Sequence, residues 1–180
     1  MKNLKSVIIE DSNNDWPVLF RKLEEILLNQ LESLALTNEH VGSTSVPKLA
    51  AKPILDIDII IDSMMDLPEV INKLSQLGYI HEGDLGIKNR EAFRRQDSKV
   101  PYNTEMNEKP EHHLYVCNKE SDELRRHILF RDILRKYPHL VVEYSILKKE
   151  LAEKYKHNRE AYTELKTEFV NNVLNNFKGF

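Results

Sequence analysis

Ile54-Leu55-Asp56-Ile57-Asp58-Ile59-Ile60-Ile61 decides the fold. Its residues are mostly β-branched, and acidic and apolar side chains alternate at its centre, which is the period of an extended strand rather than a helix. Leu55, Ile57, Ile59 and Ile61 therefore share one face, which must pack on a core. Asp56 and Asp58 emerge together on the other face, about 6–7 Å apart along the strand. Aspartate is a poor strand residue, so two in one strand require an explanation. One explanation is a clamp for a hard cation, Mg²⁺ or Mn²⁺ in its place, since such ions take carboxylate oxygens and bridge to substrate phosphates. The other is a wet strand end, with the pair neutralised by Lys52 or an arginine.

Upstream lies Gly42-Ser43-Thr44-Ser45-Val46-Pro47. A turn here exposes backbone N–H groups, and the Ser43, Thr44 and Ser45 hydroxyls add donors, so the segment can hold phosphate; a Gly-Ser pair is also ordinary turn chemistry. Ser45 and Pro47 predict a brief helix that ends before Pro53. A donor-rich loop followed by an Asp-x-Asp strand supplies phosphate anchors and a metal clamp, the main needs of phosphoryl or nucleotidyl transfer.

Further out, Val7 to Glu10 reads as a short edge strand. Trp16, Leu19, Phe20, Leu23, Ile26, Leu27 and Leu31 recur at helical steps behind Asp15 and Pro17, so a helix follows. Leu36 to His40 reads as a strand, about 66–77 as a helix stopped by Gly78, and Gly86 to Arg95 and His112 to Cys117 as strands. Three helical patterns close the chain, at about 120–136, 138–156 and 160–177. Strands early and helices late predict an α+β protein, a single domain over 1–180 with a core of about 1–118 and a helical part of about 119–180.

The 180 residues carry a formal charge of −3, too balanced for a general attraction to nucleic acid or anionic lipid. No basic run interleaves with aromatics, so nucleic-acid binding is not favoured. The apolar run near the start is too short for a secretory signal, no stretch is long enough to cross a bilayer, and Cys117 stands alone. These features predict a cytoplasmic protein with Cys117 buried. Among other candidates, His113 shares a strand face with Glu111 and Tyr115 and reads as a ligand, a proton carrier or a structural histidine. His127, Arg131 and Arg135 form a basic helix stripe that can meet a phosphate, the Asp pair or nearby acids. Arg90 and Arg94 share a strand face toward a cleft or solvent. Tyr144 reads as core and Lys148 as surface.

The run His40-Val41-Gly42-Ser43-Thr44-Ser45-Val46-Pro47-Lys48-Leu49-Ala50-Ala51-Lys52-Pro53-Ile54-Leu55-Asp56-Ile57 closely resembles the GrpB family of the nucleotidyltransferase superfamily. Trp16-Pro17, Leu77-Gly78-Tyr79, His113-Leu114-Tyr115-Val116, Phe130-Arg131-Asp132 and Tyr144 with Leu147-Lys148 extend the resemblance over nearly the whole chain. It implies a mixed β-sheet flanked by helices, with the Gly-Ser element and the Asp-x-Asp strand forming the nucleotide and metal site. Two positions depart from the family pattern: Lys48 stands where glycine is usual, and Tyr115 where a second histidine is usual. The wider superfamily commonly carries a third acid on a later strand, and only Glu111 lies near that place.

The expected function is metal-dependent transfer of a nucleotidyl group from an NTP to an unspecified acceptor. Asp56, Asp58 and His113 are its catalytic candidates, Asp56 and Asp58 its metal ligands, and Gly42, Ser43, Thr44, Ser45, Lys52, Arg94 and Arg131 its phosphate anchors. The rival expectation is a catalytically reduced module of the same fold that binds a nucleotide or a phosphorylated small molecule.

Overall fold

The computed structural model describes residues 7–104, 106 and 109–177. Five strands form one mixed sheet in the order β1-β2-β5-β4-β3, with β1 Ala35–Val41, β2 Leu55–Ile61, β3 Tyr79–Gly83, β4 Arg90–Arg95 and β5 His112–Asn118. β2 runs parallel to β5, and the other pairings are antiparallel. This is the α+β architecture that the order of strands and helices predicts.

Each face of the sheet carries its own helices. Helix α1 (Trp16–Leu31) and α2 (Leu67–Gln76) pack on the face bearing Leu55, Ile57, Ile59 and Ile61, where Phe20, Leu23, Leu27, Val70 and Leu74 complete the main core. Leu23 and Leu27 are 0% exposed, and truncating either to alanine costs about 2–5 kcal/mol. Helix α3 (Asp122–Lys136) covers the opposite face, where Leu124 packs on Ile60 and Cys117. Helices α4 (Pro138–Lys154) and α5 (Arg159–Asn176) join α3 around Val46 and Leu49, which come from the loop between β1 and β2. The C-terminal helices thus hold down the loop that leads into β2.

Four local expectations are corrected. No helix forms between Pro47 and Pro53; a 3-10 turn occupies Ser43–Ser45 instead. Lys48 has φ of 64° and its N–H donates to Ser12 Oγ, while the Ala50 N–H donates to Ser145 Oγ. Tertiary partners therefore replace helical ones. That positive φ also explains the glycine usual in the family at this place. Val7 to Glu10 forms only a bridge from Glu10 to Ala51. The strand expected from Gly86 starts at Arg90, because Leu85, Gly86 and Asn89 all have positive φ and cannot join a ladder. Finally, Lys148 is 2% exposed, not a surface residue.

Candidate functional site

The face of β2 beneath the C-terminal helices carries Asp56 and Asp58. Register places His113 of β5 beside Asp56 and Tyr115 beside Asp58, with Glu39 of β1 on the other side of Asp58. The His113 Nδ1 donates to Asp56 Oδ1 at 2.9 Å. Gly42 lies directly on the same carboxylate: its φ is +69°, and a Cβ there would stand 2.1 Å from Asp56 Oδ2. Only glycine suits this contact, since both the backbone conformation and the space forbid a side chain. The turn and the first acid are thus in contact, as the sequence spacing suggests.

Asp58 differs. It lies on the expected face, yet α3 seals it, and it is 0% exposed. Its Oδ2 accepts from His127 Nδ1 at 2.7 Å, and His127 Nε2 reaches Glu123 Oε1 at 3.2 Å. Burial pulls the His127 imidazole down, but its bonds to Asp58 and Glu123 outweigh this and carry it up to about 9. Burial pushes the Asp58 carboxyl up while the His127 bond pulls it back. Asp58 Oδ1 is buried with no hydrogen-bond partner.

Two adjoining cavities open beside Asp56, of about 280 and 220 Å³, and both are lined by Ser43, Asp56 and Lys166. The larger adds Lys52, His113, Lys148 and Tyr162. Ser43 Oγ accepts from Lys148 Nζ at 2.8 Å. Burial, then repulsion from Lys166, lowers the Lys148 ammonium to about 7, although Asp56 acts in the other direction.

Not every candidate gathers here. Thr44 Oγ1 is bound to His40 Nε2 at 2.9 Å, and Ser45 Oγ donates to Gly42 O at 2.6 Å, so both hydroxyls hold the turn itself. Arg131 donates to Glu39 and to His40 O, bracing β1 from α3. Arg135 binds Ser45 O at 2.8 Å. Arg94 pairs with Glu82 at 3.3 Å and lines a separate cavity of about 340 Å³ on the far side of His113 and Tyr115. Arg90 is buried over the Tyr115 ring. Lys148, which the sequence reads as a surface residue, and Lys166, which it does not single out, line the cleft. A signal for Lys148 existed: it stands one helical turn after the core residue Tyr144, in line with a buried stripe.

The described residues contain no group of three or more His, Cys, Asp or Glu placed to hold a metal. The donor set fits one ion only in part: Asp56 opens onto both cavities, whereas Asp58 is sealed beneath α3 and lines neither. The orphaned Asp58 Oδ1 and the Asp56 carboxylate lie on one face, and Mg²⁺ binds through one or two carboxylates plus substrate phosphates. Among the described residues no third acid joins them: Glu39 is committed to Arg131 and Glu123 to His127.

The five-stranded mixed sheet, with a Gly-Ser turn set on a strand bearing two aspartates, defines a nucleotidyltransferase-like fold. Structures of the poly(U) polymerase Cid1 share it, one of them in complex with the UTP analog UMPNPP at a TM-score of 0.56 and 10% identity, covering 87% of this chain and 48% of that one. At that identity the likeness shows the fold alone. The chain belongs to the GrpB family: the model described as GrpB protein matches residues 6–176. It is 32% identical to the glutamate-rich protein GrpB of Alkalihalophilus pseudofirmus over 96% of this chain and 97% of that protein. It is 31% identical to the UPF0157 protein YqkA of Bacillus subtilis over 77% of this chain, but spans only 37% of that relative. The crystal structure of conserved protein GrpB from Enterococcus faecalis superposes with a TM-score of 0.78 at 27% identity, covering 95% of this chain and 99% of that one.

Proposed function

We propose that this protein is a metal-dependent nucleotidyltransferase that transfers a nucleotidyl group from an NTP to an acceptor still to be identified. The observation that carries this reading is the contact between the Gly42 turn and the Asp56 carboxylate at the mouth of a cleft. Gly42 and Ser43 offer hydrogen-bond donors to phosphate oxygens, and Lys52 adds charge from the same cleft. Asp56 and Asp58 are the residues that would hold Mg²⁺ or Mn²⁺, which when bound neutralises phosphate charge and orients it for displacement. Asp56 also orients His113, leaving Nε2 to accept the proton of an attacking hydroxyl. A partner that carries phosphate suits this cleft, and the proposal sets it in the cytoplasm without nucleic acid as a partner. No helix among the described residues is long and apolar enough to cross a membrane.

A second reading rests on its own observation. His113 and Tyr115 stand where β5 would present a further acid, and His127 already occupies Asp58. That arrangement suits a module that binds a nucleotide or a phosphorylated metabolite without turnover.

Thermal shift with each of the four common NTPs, with and without Mg²⁺, tests binding, and pyrophosphate release in a metabolite mixture tests transfer. Stabilisation by NTP that needs the metal and is lost in Asp56→Asn is expected. Pyrophosphate release selects the enzyme; binding without release selects the module. Equal behaviour of wild type and Asp56→Asn toward nucleotide and metal refutes both.

A further inference from the structure

The wall formed by His113 and Tyr115 has two sides, and they differ in charge. On the Asp56 side the cleft is basic: Lys52, Lys148, Lys166 and Arg126 line its cavities, and Asp56 is the one acid among the described residues that line them. The cavity of about 340 Å³ on the other side instead mixes Arg94 and Arg95 with Glu82, Asp97 and Glu111. Such a lining opposes a bare anion, which would meet three carboxylates, and a bare cation, which would meet two guanidinium groups. A molecule that carries both charges finds an opposite for each.

Two of these side chains stand where such a molecule would need them. The pairing of β4 with β5 sets Ala92 beside Tyr115 and Phe93 beside Leu114, so the next step sets Arg94 beside His113 on the same face. Glu111 lies two residues before His113 and shares that face, which makes it a diagonal neighbour of Arg94, about 7–8 Å away. Arg94 engages Glu82 through Nε at 3.3 Å. Its terminal nitrogens have no partner among the described residues, and their fork matches a carboxylate. The Glu111 carboxylate likewise has no hydrogen bond or ion pair among the described residues. Ala92, the small residue between Arg90 and Arg94 on this face, leaves room beside the Tyr115 ring. Leu85, 62% exposed, adds an apolar rim for a carbon skeleton.

Within the proposed nucleotidyltransferase reading, on which this inference rests, we propose that the cavity takes the acceptor, and that the acceptor is a small zwitterion bearing a hydroxyl: an amino acid or a close derivative. Its carboxylate lies on Arg94, its ammonium on Glu111, and its hydroxyl at His113, which lines this cavity and the Asp56 cleft alike. The hydroxyl oxygen bonds to the α-phosphorus of the NTP, its proton passes to His113 Nε2, and the bond to the departing pyrophosphate breaks.

Saturation-transfer NMR titration of the full chain, without nucleotide or metal, with L-serine, L-homoserine and L-tyrosine tests this. At least one is expected to bind, and its analogues lacking the carboxylate or the amine at least about tenfold more weakly. Arg94→Gln should weaken the amino acid and the analogue that keeps the carboxylate, and spare the one that keeps the amine; Glu111→Gln should do the converse. Both side chains are exposed, so neither variant threatens the fold. No binding by any of the three amino acids, or affinities that both variants leave unchanged, overturns the proposal, as does a loss that ignores which charge the ligand carries. The outcome is separable from that of the nucleotidyltransferase reading. Crossed binding with no pyrophosphate release on adding NTP and Mg²⁺ sustains the zwitterion site and sinks the enzyme, whereas Asp56-dependent release with no amino acid bound does the reverse.

Discussion

Replacing Gly42 with alanine tests the joint between the turn and the acidic strand. The backbone there has φ of 69° and ψ of −172°, a region that only glycine occupies readily, and forcing a side chain into it costs about 1–3 kcal/mol. The added Cβ would meet Asp56 Oδ2 at 2.1 Å, Cγ at 2.9 Å and Cβ at 3.0 Å. Rotating the carboxylate away cannot relieve the last of these, because Asp56 Cβ is fixed by the central strand β2. Overpacking of this kind adds about 1–3 kcal/mol. The total, about 2–6 kcal/mol, corresponds to a fall of about 4–24 °C in melting temperature for a domain of this size. Urea unfolding measures the loss, and NTP titration of the folded variant with Mg²⁺ measures the damage to the site. Gly42→Ala as stable as wild type, to within about 0.5 kcal/mol, would falsify the claim that the turn is seated on Asp56.

Two further predictions concern charge. His127 titrates at about 9 against an ordinary 6.5, so the folded state keeps a proton that the unfolded chain has lost; its contribution is complete below 6.5 and disappears as pH rises through 9. Lys148 has the opposite sign, at about 7 against an ordinary 10.5, so it makes stability rise with pH across the same window. The two oppose each other between about pH 7 and 9. In urea unfolding across that range, His127→Gln should therefore gain stability with pH relative to wild type, and Lys148→Met should lose it; parallel profiles for all three proteins would contradict the Asp58–His127 pairing. Arg131→Ala strips Glu39 and His40 O of their partner and should cost about 1–3 kcal/mol in the same assay. Its affinity for NTP with Mg²⁺ should not change, and a marked loss would restore Arg131 as a phosphate contact.

The fold was largely legible in the order of residues. The alternation in β2, the helical stripe from Trp16 to Leu31 and the closing helical patterns depend on local period, and burial acts on that period directly. The placement of Asp56 and Asp58 on one face follows from the same rule. The closeness of Gly42 to Asp56 comes instead from the antiparallel pairing that sets Val41 beside Asp56. What one strand cannot state is what covers it. Whether Asp58 is wet or sealed depends on α3, some seventy residues later in the chain; the sequence places His127 on a basic stripe that can meet the Asp pair, a phosphate or nearby acids, and only packing selects Asp58.

The same limit applies to the loop and the lysines. Thr44 and Ser45 look like phosphate donors until their hydroxyls are seen to hold the turn. Lys148 looks solvated until α5 and the β1–β2 loop close over it. Sequence by itself determined which side chains share a face, because backbone geometry fixes that within a few residues. Tertiary structure alone decided which of them keep their charge, find a partner or open onto a cleft, because desolvation and pairing depend on segments far apart along the chain.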